Sequence, residues 1–213
     1  MSRNRRLKKR IVILCEGDTE ENAIKYFVWP QWQKDGFGEI GLPTINLKAQ
    51  LEKIPRYAQN NAKKEEVLAV FTLIDLYGMD RVRHRKDDDL SHKVARVQKW
   101  LRKGLSTKIR QKFHPHLSVH EVEAWLLADG RCLVKRLNDK SIKPDPQAEK
   151  RNFENPPSSR LKSLFKKYKR EGYTKIVDGV ALFQDADFET VYATCHYFRD
   201  FYDDLKAVAK ANL

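Results

Sequence analysis

The chain has 213 residues, with 42 Lys and Arg against 29 Asp and Glu, a formal net charge of +13 and a pI near 9.6. Its length and 41% apolar content suit a globular protein with a substantial core and exclude a disordered chain. Three cysteines, far apart and without a CxxC pair, exclude a disulfide framework and a structural zinc site. The apolar runs are too short to span a bilayer, and the basic N-terminus lacks the apolar segment of a signal peptide. The sequence therefore reads as cytoplasmic, with no membrane partner. An excess of positive charge attracts polyanions through the summed field and counterion release, so the expected partner is nucleic acid.

Residues 1–10, MSRNRRLKKR, read as a basic N-terminal arm. Ile11–Cys15 is a continuous apolar run, the pattern of a strand buried on both faces. Gly17–Asp18 reads as a turn, and Thr19 is the expected N-cap of a helix running to about Val28, with Ala23, Ile24 and Phe27 as its apolar stripe. GEIGLPTINL predicts a loop and a short strand near Pro43–Leu47. AQLEKIPRYAQNNAKK predicts a helix that Pro55 kinks or divides.

Val67–Ile74 is the clearest central strand and ends at Asp75; the polar, basic YGMDRVRHRKDDD after it is expected as a loop. LSHKVARVQKWLRK is helical, with Leu90, Val94, Val97 and Leu101 on one stripe. HPHLSV reads as a strand and HEVEAWLLAD as the next helix. Four alternating β and α segments thus fill 11–128 and predict an α/β domain, a mostly parallel central sheet covered by helices in a Rossmann-like arrangement. LNDKSIKPDPQAEKRNFENPPSS reads as a long loop, and helices near Ser159–Lys169, Thr174–Leu182 and Asp187–Ala209 make 129–213 a helical C-terminal extension packing on that domain.

Ligands of open α/β sheets bind at the carboxyl ends of the strands. Glu16, Asp75 and Glu121 each follow a predicted strand. Taken singly they read as a loop carboxylate, a turn residue and a first-turn helix acid. Brought together they repel one another unless a cation or proton intervenes, and hard oxygen ligands suit Mg²⁺ or Mn²⁺. An acidic centre in basic surroundings fits metal-assisted phosphodiester chemistry.

VILCEGDTEENAIKYF, an apolar strand followed by Glu-Gly and an acidic helix start, resembles the opening signature of the TOPRIM (topoisomerase–primase) family, and FTLIDLYG resembles its second. HEVEAWLLAD, NPPSSRL and TCHYF resemble later motifs of a small bacterial TOPRIM-like branch, so the resemblance covers nearly the whole chain. It implies a TOPRIM fold and Mg²⁺-dependent cutting or joining of nucleic acid, with Glu16 as catalytic acid/base or metal ligand and Asp75 as the first metal aspartate. It also implies a phage-defence setting and a partner ATPase. The family's second motif is Asp-x-Asp, whereas position 77 is Tyr, which keeps open a catalytically degenerate binding or regulatory subunit. Asp80 substitutes only if its loop folds back; Glu121 and Glu123 are the other candidates to complete the metal site.

Two positions apart on one helix, Glu121 and Glu123 point about 200° apart, so both are expected to face a metal only if the segment is extended there. Glu121 is the favoured ligand. Glu20, a turn beyond Glu16, reads either as orienting water or a second metal or as a capping acid. Lys175 heads a later helix, where it neutralises phosphorane charge or is simply exposed. Arg81, Arg83, Arg85 and Lys86 crowd the loop after Asp75 and are the expected phosphate donors, joined by Arg160. Ser158 or Ser159 is the expected N-cap of the helix containing Arg160, with free N–H groups for a phosphate. A different phosphoryl-transfer enzyme, such as a nucleotidyltransferase, is a third reading; without a Gly-rich P-loop, ATP hydrolysis by this chain is not expected.

Overall fold

The computed structural model describes residues 8–79, 89–150, 155–169 and 172–213. Arg81, Arg83, Arg85, Lys86 and Asp80 lie outside the described residues, as does most of the basic arm. Strand β1 (Arg10–Cys15) leads into α1 (Asp18–Ala23), which continues through a π-helical turn, Ile24–Val28, into α2 (Trp29–Lys34). Strand β2 (Thr44–Asn46) and a 3₁₀ turn, Leu51–Lys53, precede α3 (Ile54–Ala62). Strand β3 (Val67–Asp75) is followed by α4 (Leu90–Leu101), α5 (Thr107–Gln111) and β4 (Phe113–Ser118). Helices α6 (Glu123–Asp129), α7 (Arg131–Leu137), α8 (Pro157–Tyr168), α9 (Val180–Asp185), α10 (Phe188–Thr194) and α11 (His196–Lys210) complete the described chain.

The four strands form one parallel sheet in the order β2-β1-β3-β4, the α/β architecture expected from the alternation of segments. Side chains of a strand alternate between faces. Ile11, Ile13, Cys15, Phe71 and Leu73 therefore pack on one side against Phe27, Trp32, Trp125, Phe198 and Phe201, so the C-terminal helices share this core. Val12, Leu14, Val70 and Ile74 pack on the other side against Ile54 and Ala58 of α3 and Val94, Val97 and Leu101 of α4. Burial on both faces is why β1 and β3 are continuous apolar runs rather than alternating ones. The register places Cys15 beside Asn46 and Leu73, and Asp75 opposite Ser118. The carboxyl ends of all four strands consequently meet at one edge.

Several expected boundaries move. Gly17, in extended conformation, is the N-cap of α1, and Thr19 lies buried in the first turn. The helix does not stop near Val28 but runs on to Lys34. Pro55 sits in the first turn of α3, where its missing N–H costs nothing. Helices α5 and α7 were not foreseen; each is short, at five and seven residues. The single helix expected over Asp187–Ala209 is two, divided at Cys195, whose backbone is extended.

Candidate metal centre

Glu16 stands one residue beyond β1, and its Oε2 accepts the backbone N–H of Asp75 at 3.2 Å. Asp75 ends β3, and its Oδ1 accepts a hydrogen bond from Ser118 Oγ at 2.6 Å across the β3–β4 pairing. Past β4 the chain turns tightly: the N–H of Ala124 bonds the carbonyl of Glu121 at 3.0 Å, and α6 begins at Glu123. Asp75, Glu121 and Glu123 each offer a carboxylate oxygen, and these oxygens lie within 4.8 Å of one another. The expectation that Glu121 and Glu123 converge only on an extended backbone is thus overturned. The 200° rule holds within a regular helix, whereas Glu121 precedes α6 and approaches from the turn.

Each glutamate also has a protein partner. Glu121 anchors the start of α8: its Oε2 accepts Ser158 N–H at 2.7 Å and its Oε1 accepts Ser158 Oγ–H at 2.9 Å. Pro156, not a serine, is the N-cap of α8, so the Ser158 N–H expected for a phosphate already holds a carboxylate. Glu123 is fully buried, and neither of its oxygens has an aligned hydrogen-bond donor. Its counter-charge is Lys175, whose Nζ lies 3.1 Å from Oε1 as an ion pair. Lys175 is brought there by the π-helical turn Lys175–Gly179, from a part of the chain remote in sequence. Glu20 is buried, and its Oε2 accepts Gly17 N–H at 2.7 Å, which is the capping role weighed for it.

Burial raises every acid of this group that responds. It pushes Glu16 to about 7, with the Glu20 charge adding to it and the Asp75 N–H opposing. Burial likewise raises Glu123 to about 7 against the pull of Lys175. Asp75 rises well above its ordinary value through burial and the charges of Glu20 and Glu123. A cleft of about 570 Å³ opens beside the group, lined by Glu16, Glu20, Asp75 and Lys175 together with Asn46 and Lys48. Asn46 and Lys48 escaped the sequence reading, although they end and follow β2 and the strand-end rule applies to them equally. Lys48 and its neighbour Ala49 both have left-handed backbones, at φ 50° and 58°.

The donor set fits a divalent ion. Three carboxylates converge, all ligand atoms are hard oxygens, and in the buried Glu123 Lys175 pairs with Oε1 while Oε2 has no hydrogen-bond partner. Other candidates fall elsewhere. Arg160 is paired with the buried Asp145 at 2.6 Å. His114 Nδ1 and His116 Nε2 meet a single oxygen, Asp204 Oδ2, at 2.8 and 2.9 Å.

Comparison with known proteins gives two matches. The family model described as "Domain of unknown function (DUF4276)" matches residues 15–206. A solved structure, the C-terminal region of the Burkholderia pseudomallei OLD protein, aligns over 92% of this chain and 100% of its own length, at 15% identity and a TM-score of 0.45. None of the curated proteins matches the chain. Among the described residues, no helix is long and apolar enough to cross a membrane.

Proposed function

We propose that this chain, which belongs to the DUF4276 family, is a divalent-metal-dependent nuclease with a TOPRIM-type centre that hydrolyses phosphodiester bonds of DNA or RNA. The observation that carries the reading is the convergence of Asp75, Glu121 and Glu123 at the carboxyl edge of a parallel sheet, with Glu123 buried and short of donors. The net charge of +13 supports a polyanionic substrate.

Asp75, Glu121 and Glu123 would hold Mg²⁺ or Mn²⁺, which when bound supplies Lewis-acid stabilisation of phosphate charge and lowers the pKa of water. Glu16, with its carboxyl held at about 7, exchanges a proton near neutrality and is assigned the acid/base role. Ser118 and the Asp75 N–H fix the two strand-end carboxylates in place. Lys175, 45% exposed in its side chain, reaches from Glu123 towards the cleft and is assigned to charge developing on the phosphate. Glu20 fixes the Gly17 turn from which Glu16 projects. The TOPRIM resemblance further supports a phage-defence effector acting with an ATPase partner.

A binding-only reading has one observation in its favour. Tyr77, standing where the family pattern has its second aspartate, is 41% exposed and brings no carboxylate to the group. Labelled DNA and RNA incubated with Mg²⁺, Mn²⁺ or EDTA separate the two. Metal-dependent cutting by the wild type that is lost in Glu16→Ala and Glu123→Gln supports the nuclease. Salt-sensitive binding by all three proteins without cutting, with and without a partner ATPase, assigns the centre to the binding-only reading.

A further inference from the structure

A second feature lies on the other side of the sheet. Between Leu90 and Lys112 the sequence has eight Lys and Arg and no Asp or Glu, against a net charge of +13 for the whole chain. Folding sorts this stretch cleanly. Val94, Val97, Leu101 and Ile109 turn into the core beside β3 and β4, which leaves the basic side chains outside. Arg96, Lys99, Trp100, Arg102, Lys103 and Arg110 line a groove of about 560 Å³ along α4 and α5, with no acidic residue in its lining.

Elsewhere the basic side chains are commonly neutralised: Arg10 by Glu66, Arg131 by Asp129 and Asp187, Arg136 by Asp178, Arg160 by Asp145. Lys99, Lys103 and Arg110 are exposed, and among the described residues none of them forms an ion pair. Arg102 reaches the carbonyl of Gln98 on its own helix at 3.5 Å and feels the charge of Asp204, which His114 and His116 already engage. Groups so arranged repel one another, and a polyanion would relieve that repulsion.

The groove stands apart from the acidic centre. Its lining residue Gln98 donates to the Pro115 carbonyl at 3.0 Å, midway along β4, whereas Asp75 pairs with Ser118 at the end of that strand. The three residues from Pro115 to Ser118 rise about 10 Å at 3.3 Å each. A strand rising about 3.4 Å per nucleotide covers that in roughly three.

We infer that the α4–α5 groove is an accessory binding surface for the phosphodiester backbone of nucleic acid, holding a long substrate while a distant bond occupies the acidic centre. Arg110 suits phosphate recognition in two-pronged fashion, and Lys99 and Lys103 act as point charges. Trp100, half-buried among them, gives the groove an aromatic wall. The inference rests on the nuclease reading for its class of partner and on the groove alone for its location.

The test is the triple reversal Lys99→Glu, Lys103→Glu and Arg110→Glu. A control reversal at exposed positions outside the groove, Lys63→Glu, Lys140→Glu and Lys143→Glu, carries the same change of charge. Binding of labelled duplexes of about 8 and 30 base pairs is measured in EDTA across a salt series, and melting temperature reports folding. For the groove variant, affinity for the long duplex is expected to fall at least tenfold at low salt. The slope of log affinity against log salt should shrink by about 2 to 3, near 0.9 for each phosphate no longer neutralised. Short-duplex affinity should fall less than long-duplex affinity, since fewer phosphates reach the groove; melting temperature should stay within a few degrees of the wild type, and the control should change far less. Equal losses in both triple variants would overturn the inference, since net charge would then explain them. Unchanged long-duplex binding in the groove variant would also overturn it and assign the surface to an acidic protein. Failure of the wild type to bind either duplex or single-stranded RNA would overturn this inference and the nuclease reading together; wild-type binding or cutting unaffected by the groove variant would overturn this inference alone.

Discussion

Glu123 concentrates the energetics of the centre in one side chain. It is fully buried and faces the charges of Glu121 and Glu20, which the Lys175 ion pair and its own backbone N–H offset. Replacing it by Gln removes one of the repelling charges while keeping the shape. The metal-free Glu123→Gln protein is expected to melt higher than the wild type, and Mn²⁺ should no longer raise its melting temperature. A variant retaining the full Mn²⁺-induced rise would remove Glu123 from the ligand set. Gly130 makes the opposite case, a residue where adding an atom is damaging. It has φ 67° between α6 and α7, and a Cβ there would lie 2.7 Å from the Pro144 backbone. Gly130→Ala is expected to cost about 2–4 kcal/mol in urea unfolding, from the positive φ and the clash together. Nothing in the sequence singled Gly130 out, because the clash comes from a loop that only folding brings alongside.

The division between α10 and α11 shows where helical periodicity stops being informative. Val191, Cys195, Phe198, Phe201, Tyr202 and Leu205 form a nearly unbroken apolar stripe, so the pattern predicts one long helix. The break is set from outside by Glu149, whose carboxylate accepts the N–H groups of Tyr197 and Phe198 at 3.1 and 3.3 Å. These first-turn N–H groups have no partner within their helix, so a buried acceptor there makes a second helix start worthwhile. Glu149→Ala should therefore cost about 1–3 kcal/mol, while Glu149→Gln, which keeps a carbonyl acceptor, should lose less. Equal losses in thermal or urea unfolding would assign Glu149 to packing alone. Strands β1 and β3 were legible because burial on both faces writes an uninterrupted apolar run into the sequence. The placement of Glu16 and Asp75 at the sheet edge was legible for a related reason: one follows and the other ends a strand. Lys175 at Glu123, and Ser158 on Glu121, depend on how the C-terminal helices dock, which no local pattern encodes.

At the scale of the whole molecule, the raised carboxyls couple stability to both pH and metal. Glu16 and Glu123 titrate near 7 in the folded protein, against 4.5 ordinarily, because burial disfavours their charged forms. The folded state thus binds more protons than the unfolded state between these values, and stability falls as pH rises through that window. Each group contributes at most about 3 kcal/mol to this fall. Metal-free protein should accordingly melt progressively lower from pH 5 to pH 8. Glu149 is also raised to about 7 by burial, so the metal-free profile alone does not isolate the centre. The difference made by metal does. A dication binds the deprotonated carboxylates, so Mn²⁺ should add little to the melting temperature at pH 5 and most at pH 8, flattening the profile. Binding near pH 6.5 should release about one to two protons, measurable by calorimetry in buffers of different ionisation enthalpy. A Mn²⁺ effect independent of pH, with no proton released, would place the ion on carboxylates that are already charged and exposed, away from Asp75 and Glu123.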